Sequence, residues 1–160
     1  MVASTPVQLY VVALGSNRRG RHGAPEAQLR AALALLGSVV QVSPILATAP
    51  LGPARRRFAN AAALIESDET PPLLLARLKR IERAFGRRRG RRWDNRVIDL
   101  DLILWSGGAW SSPGLTVPHP LFRQRAFVLQ PLLALVPHWR DPITGRTIRQ
   151  LAARLARRAG

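Results

Sequence analysis

No cysteine occurs anywhere in the 160 residues. Disulfides, thiolate zinc sites and iron–sulfur clusters are therefore excluded, which leaves the redox compartment open but compatible with cytosol. Acidic residues are scarce as well: nine stand against 25 basic ones, a formal charge of +16, and every basic residue except Lys79 is arginine. Such a surface attracts polyanions, so the partner classes are nucleic acid and small phosphorylated ligands. Scattered arginines, including the tail RLARRAG, also fit a plain solvated face. Long apolar runs are missing. Leu9 to Leu14 is too short to span a bilayer or form a signal core, and the start has no basic region, so a cytoplasmic protein with no membrane partner is expected. No repeat or linker interrupts the chain, and its length suits a single domain, residues 1–160.

What is present reads as an alternation of strands and helices. Leu9 to Leu14 is a continuous run of β-formers closed by Gly15-Ser16-Asn17, a buried strand entering a turn. Ala24 to Leu36 suits a helix, with Pro25 in its first turn, Leu29, Leu33 and Leu36 on one face and Gly37 at its end. Val39 to Ala47 is a second strand, interrupted by Pro44 as an edge or bulge would be. FANAAALIE is a third strand. Thr70 and Pro71 open a helix whose Leu74, Leu78, Ile81 and Phe85 share a face and which Gly86 ends. A basic loop then leads into the strand Val97 to Trp105, and a terminal helix begins at the capping box Thr147-x-x-Gln150. The order β-α-β-β-α-β is that of an α+β, ferredoxin-like sandwich, an antiparallel sheet with helices packed on it, plus C-terminal additions.

The chemistry-bearing residues concentrate in RRWDNRVIDLDLILW. Asp99 and Asp101 are two apart, so in a strand they share one face while Ile98, Leu100 and Leu102 take the other. Two half-buried like charges need neutralising, by a hard divalent cation such as magnesium or by the abundant arginines; a solvent-facing pair on an open sheet is the plain alternative. Glu82 stands near a helix C-terminus, where the macrodipole disfavours an anion, and so requires a partner: a loop arginine, a ligand hydroxyl or a surface cation. Arg87, Arg89, Arg92 and Arg96 crowd the loop before the aspartates, and guanidinium forks match phosphate oxygens. His119 lies between two prolines in VPHP, which stiffen its backbone and aim its imidazole. Arg125 and Phe127 alternate in what reads as a short strand or turn. Phe58 and Asn60, also two apart, place an aromatic platform and an amide on one face.

These motifs, taken together, resemble the 6-hydroxymethyl-7,8-dihydropterin pyrophosphokinase family. The resemblance runs through ALGSN, TAPLG with FAN, IERAFGRRRGRRWDNRVIDLDLIL and LTVPHPLFRQRAFVLQPL, in order along nearly the whole chain. It implies a ferredoxin-like core and transfer of pyrophosphate from ATP to a pterin alcohol in folate biosynthesis. It also implies that Asp99 and Asp101 hold two Mg2+ ions. Arg87, Arg89, Trp93 and Arg96 then correspond to a loop over the nucleotide, with Arg87 and Arg96 counted as catalytic. Glu82, Ile98, Thr116, His119 and Arg125 resemble further ATP contacts, and Thr48, Pro50, Leu51, Phe58, Asn60 and Phe127 the pterin pocket. The implied partners are ATP and 6-hydroxymethyl-7,8-dihydropterin, with nucleic acid disfavoured and a monomer expected.

Two departures stand out. Asp94-Asn95 follows Trp93 where the family commonly has glycine and then proline or another small residue, and Gly114 replaces an arginine, which implies weaker ATP binding. A nucleic-acid module on the same sandwich would explain the charge but not two carboxylates facing a phosphate backbone. A degenerate, inactive relative is opposed by Asp99, Asp101, His119 and Arg125 all being present.

Overall fold

The computed structural model describes residues 6–48, 58–86 and 97–159. Along the chain lie β1 (Gln8–Ser16), α1 (Pro25–Leu36), β2 (Val39–Val42), β3 (Leu46–Thr48), β4 (Phe58–Ser67), α2 (Pro71–Ala84) and β5 (Asp99–Trp105). They are followed by a hairpin of β6 (Trp110–Ser112) and β7 (Leu115–Val117), a 3-10 turn at Phe122–Gln124, α3 (Ala126–Leu135) and α4 (Ile148–Ala159).

The main sheet is antiparallel in the order β2-β4-β1-β5, with β3 also paired to β4. The expected single strand from 39 to 47 is thus two, separated at Ser43-Pro44-Ile45, because proline cannot donate to a ladder. Ser43 bridges the gap: its N–H donates to the Ala62 carbonyl and its Oγ accepts from the Ala62 N–H. Counting β2 and β3 as one strand, the order is second, third, first, fourth, which is the ferredoxin-like arrangement. The proline at the start of α2 and glycine after it lie as expected, but Thr70 makes no side-chain cap bond. The Thr147/Gln150 capping box before α4 does form, with reciprocal bonds of 2.9 and 3.1 Å.

One face of the sheet buries Val12, Leu14, Ala61, Leu100 and Leu102 against Leu29, Ala32, Leu74 and Leu78 of α1 and α2. The other face is covered too: Val11, Ala62 and Ile103 pack under Phe122, Val128, Leu129 and Leu132, with Ile148 and Leu151 of α4 closing the layer. The C-terminal additions are therefore a third layer rather than an appendage. The continuous apolar character of α3 follows from this position, and its internal Pro131 concealed it from a periodicity argument.

Candidate active site

The aspartates owe their placement to alternation and a bulge. In β5, Ile98, Leu100 and Leu102 point into the α1/α2 core, so Asp99 and Asp101 lie on the opposite face, both half-buried. Pairing with β1 shifts between Val11↔Leu104 and Val12↔Leu102, leaving Ile103 as the extra residue of a bulge. Ile103 and Leu104 consequently both enter the core under α3, and Trp105 returns to the first face, stacked on Tyr10 at 6.5 Å. The two acids thus occupy the start of a strand whose later residues Ile103 and Leu104 join the second core.

Register extends this position across the sheet. Asp99 pairs with Gly15, Gly15 with Asn60, and Asn60 with Leu46, so a carboxylate and an amide share a face with only a glycine between them. A Cβ on Gly15 would lie 3.1 Å from Asn60 Oδ1, tighter than ordinary contact. Glycine at 15 keeps the floor clear, a role its sequence context as a turn residue did not reveal. Gly15→Ala is expected to displace the Asn60 amide and raise the KM for a ligand held by it about tenfold, with a smaller change in kcat. Steady-state kinetics on the variant check this; an unchanged KM would remove the assignment of Asn60 as a ligand contact. Phe58, two residues before Asn60, shares its face and is 46 % exposed, while its backbone pairs with Thr48. Phe127 is 45 % exposed, with the Arg125 guanidinium 5.8 Å from its ring centroid. Both are large aromatic side chains left open to water on a protein with a well-filled core.

The third part docks on the free edge of β5. The His119 N–H donates to the Ile103 carbonyl at 3.0 Å, fixing the VPHP segment to the strand. His119 Nδ1 accepts from the Leu121 N–H at 3.2 Å, so the proton of the neutral ring sits on Nε2. Burial first, then the positive charge of Arg125, hold the imidazole pKa below its ordinary value; Asp99 opposes them. Arg125 and Asp99 therefore both lie within electrostatic reach of the imidazole. Arg125 is not in a strand alternating with Phe127, as expected, but at the N-cap of α3, with Phe127 in the first turn of the helix.

Ile98, Glu82 and Gly114 each have a definite structural setting. Ile98 is 1 % exposed and belongs to the core, so its side chain is not available to a nucleotide. Glu82 is also 1 % exposed: its Oε2 accepts from the Leu100 N–H at 2.8 Å, and Lys79 Nζ is 3.8 Å from Oε1. Gly114 has φ +78 in the two-residue Pro113-Gly114 turn joining β6 to β7. Glycine suits that left-handed backbone, and an arginine there would be strained. Thr116 lies exposed on β7, opposite Ser111. Pro50, Leu51, Arg87, Arg89, Arg92, Trp93, Asp94 and Arg96 fall outside the described residues.

The chain as a whole has known relatives. A family profile described as 7,8-dihydro-6-hydroxymethylpterin-pyrophosphokinase (HPPK) matches residues 11–137. The chain belongs to this family. The matched span runs from β1 through α3 and takes in every described site residue, with α4 beyond it. Among curated relatives, the 2-amino-4-hydroxy-6-hydroxymethyldihydropteridine pyrophosphokinase of Pseudomonas aeruginosa is 40 % identical over 153 residues, covering 92 % of this chain and 91 % of its own. The enzyme of the same name from Bacillus subtilis is 39 % identical over 127 residues, 76 % of this chain and 74 % of its own. Among solved structures, an HPPK-DHPS in complex with substrates superposes with a TM-score of 0.76 at 13 % identity, over 96 % of this chain and 45 % of that one. Plasmodium falciparum HPPK-DHPS A437G gives 0.74 at 14 % identity, over 96 % and 46 %. These structural likenesses carry the fold of the HPPK part, and this pyrophosphokinase-family chain spans less than half of each of the two.

Proposed function

We propose that the face bearing Asp99, Asp101 and Asn60 carries out the family's reaction with Mg2+ held by the two aspartates. That reaction is transfer of a pyrophosphoryl group from ATP to 6-hydroxymethyl-7,8-dihydropterin, a step of folate synthesis. The observation that carries the reading is the row Asp99, Gly15, Asn60, which puts a metal-type carboxylate and a ring-reading amide on one cleared floor. The donor set fits magnesium. Among the described residues no third His, Cys, Asp or Glu joins the aspartates in a metal cluster. Mg2+ is commonly held by one or two carboxylates and completed by substrate phosphates and water. Two such ions would supply charge neutralisation of the triphosphate and Lewis acidity at the transferred group.

The chain's own groups then divide the work. Phe58 and Phe127 sandwich the pterin ring, and the Asn60 amide, carrying both donors and an acceptor, reads its edge. His119 donates from Nε2 to a phosphate oxygen, and Arg125, free of the strand and capping α3, supplies a fixed positive charge beside it. Thr116 adds a hydroxyl on the same nucleotide side. Held so, the pterin hydroxyl oxygen attacks the β-phosphorus in line and releases its proton to solvent, the bond from that phosphorus to the α-bridging oxygen breaks, and AMP departs with that oxygen. The reading is of a single-domain, cytoplasmic monomer; among the described residues no helix is long and apolar enough to cross a membrane.

Incubation with ATP, Mg2+ and the hydroxymethyldihydropterin tests it: AMP and the pterin pyrophosphate should appear together. ADP in place of AMP, or no turnover dependent on the pterin, would overturn the assignment. The histidine adds a pH signature. Because its pKa is held down, the neutral form that accepts from Leu121 persists below the usual histidine midpoint of about 6.5. The value of kcat/KM for ATP is therefore expected to stay level from pH 8 through about 6.5 and to fall only below that. His119→Ala should lower it roughly 10- to 100-fold and abolish that lower limb.

A further inference from the structure

Among the described residues β5 forms an edge of its sheet, with β1 as its one neighbour in the strand order. In antiparallel pairs, residues that exchange both backbone bonds alternate with residues whose N–H and C=O point away from the partner. The Leu100 N–H leaves the ladder to reach Glu82 Oε2 at 2.8 Å, so Leu100 is an outward residue. Its neighbours Asp99 and Asp101, opposite Gly15 and Ala13, are then the two anchored to β1. An outward N–H in a buried place must find an acceptor, and here no further strand supplies one. A side chain from the last turn of α2 does so instead, at the peptide between the two carboxylates.

Keeping a carboxylate there is unfavourable on two counts. Glu82 is almost wholly buried, and it stands at the negative end of the helix dipole. A carboxylate retained under those conditions, with one oxygen on that peptide, has a purpose the ATP-contact expectation does not describe. We infer that Glu82 is a positioning residue: acting as a one-residue surrogate strand, it fixes the Leu100 peptide and through it the spacing and direction of Asp99 and Asp101. Three residues farther along, the His119 N–H holds the Ile103 carbonyl of the same strand, so β5 is tied at both ends of the reactive segment. Precision matters because Mg2+ demands near-ideal octahedral geometry, and carboxylates displaced by more than about 0.5 Å cease to meet it. The inference rests on the reading of Asp99 and Asp101 as metal carboxylates.

The test uses Glu82→Ala and Glu82→Gln in the full chain. Amide exchange at Leu100 reports the hydrogen bond, and calorimetric titration of Mg2+ in the presence of a non-hydrolysable ATP analogue reports the aspartate pair. Binding of the analogue in chelator reports any direct nucleotide contact. For Glu82→Ala, Leu100 exchange and the apparent Mg2+ Kd are each expected to rise about tenfold or more, with metal-free analogue affinity within about twofold of wild type. Glu82→Gln, which keeps an oxygen to accept from Leu100, should restore both to within about threefold. An unchanged Mg2+ titration in Glu82→Ala overturns the inference, as does a matching loss of metal-free analogue affinity, which would make Glu82 a nucleotide ligand. Where the alanine variant does not fold, Glu82→Gln alone decides: a protected Leu100 amide with a wild-type titration supports positioning, and a tenfold weaker titration overturns it. Wild-type chain that binds no Mg2+ with the analogue would sink the metal reading itself, and binding without pterin turnover would sink only the assigned reaction.

Discussion

Asp101→Ala is expected to lower the rate of AMP release by about a thousandfold or more while the chain stays folded. The carboxylate stands half-buried opposite Ala13, on the face away from the α1/α2 core, so its removal leaves neither core short of an apolar side chain. On the proposed reading it removes half of the protein's contribution to the metal, and the charge stabilisation then at stake amounts to several kcal/mol. Asp101→Asn separates shape from charge. It preserves side-chain volume but provides a poorer ligand for a hard cation, and it should be nearly as inactive as the alanine. Asp99→Ala should behave alike, with an additional change in the pH dependence carried by His119, because Asp99 is the group that raises that histidine's pKa against burial and Arg125. Rates measured at saturating and at raised Mg2+, beside melting curves within about 4 °C of wild type, check the claim. Full activity in either alanine variant would dismantle the metal reading.

The aspartate face was legible because period-two alternation is a local property: Ile98, Leu100 and Leu102 could only be buried if Asp99 and Asp101 were not. The strand order followed from element order for a similar reason, since β-α-β-β-α-β admits few compact arrangements. What stayed hidden depends on a partner distant in sequence. Nothing within β5 announces the bulge at Ile103, because a bulge is defined against β1. Helix position says that an anion at Glu82 needs a partner, without saying that a backbone N–H 18 residues on is among its partners. Gly15 read as a turn residue, and only register with Asn60 shows that its missing side chain clears the floor. Arg125 and Phe127 were misplaced because α3, apolar apart from Gln130 even on its exposed face, and containing Pro131, shows no polar stripe to mark a helical period. Gly114 read as a lost arginine, yet the turn in which it sits explains the glycine.

The second large effect is expected far from the aspartates, at Asp141. This carboxylate is fully buried and accepts from Arg123 Nε at 2.5 Å, Arg123 Nη2 at 2.7 Å, Thr144 Oγ1 at 2.7 Å and the Ile143 N–H at 3.0 Å. Burial alone would raise its pKa, but the hydrogen bonds and the Arg123 charge together bring it down to about 2. Removing one member of such a pair leaves the other buried and unpaired, so Arg123→Ala and Asp141→Ala are each expected to lose roughly 3–5 kcal/mol of stability. Replacing both, as in Arg123→Met with Asp141→Leu, should recover much of it, since an apolar pair avoids the desolvation that the ion pair must offset. Urea titrations with unchanged slope measure this. The pH dependence has a definite sign: a depressed carboxyl pKa contributes stability above its unfolded value near 4, and the contribution of about 2–3 kcal/mol is lost as pH falls from there toward about 2. The same variants reach the site. Arg123 belongs to the 3-10 turn between His119 and Arg125 and also lies 4.8 Å from the Phe122 ring centroid, so the pair anchors the segment that carries the two groups proposed to face the phosphates. Single variants should therefore raise the KM for ATP in conditions where they remain folded, and the apolar double variant should regain stability more completely than ATP affinity. Equal recovery of the two would mean that the ion pair serves the fold alone.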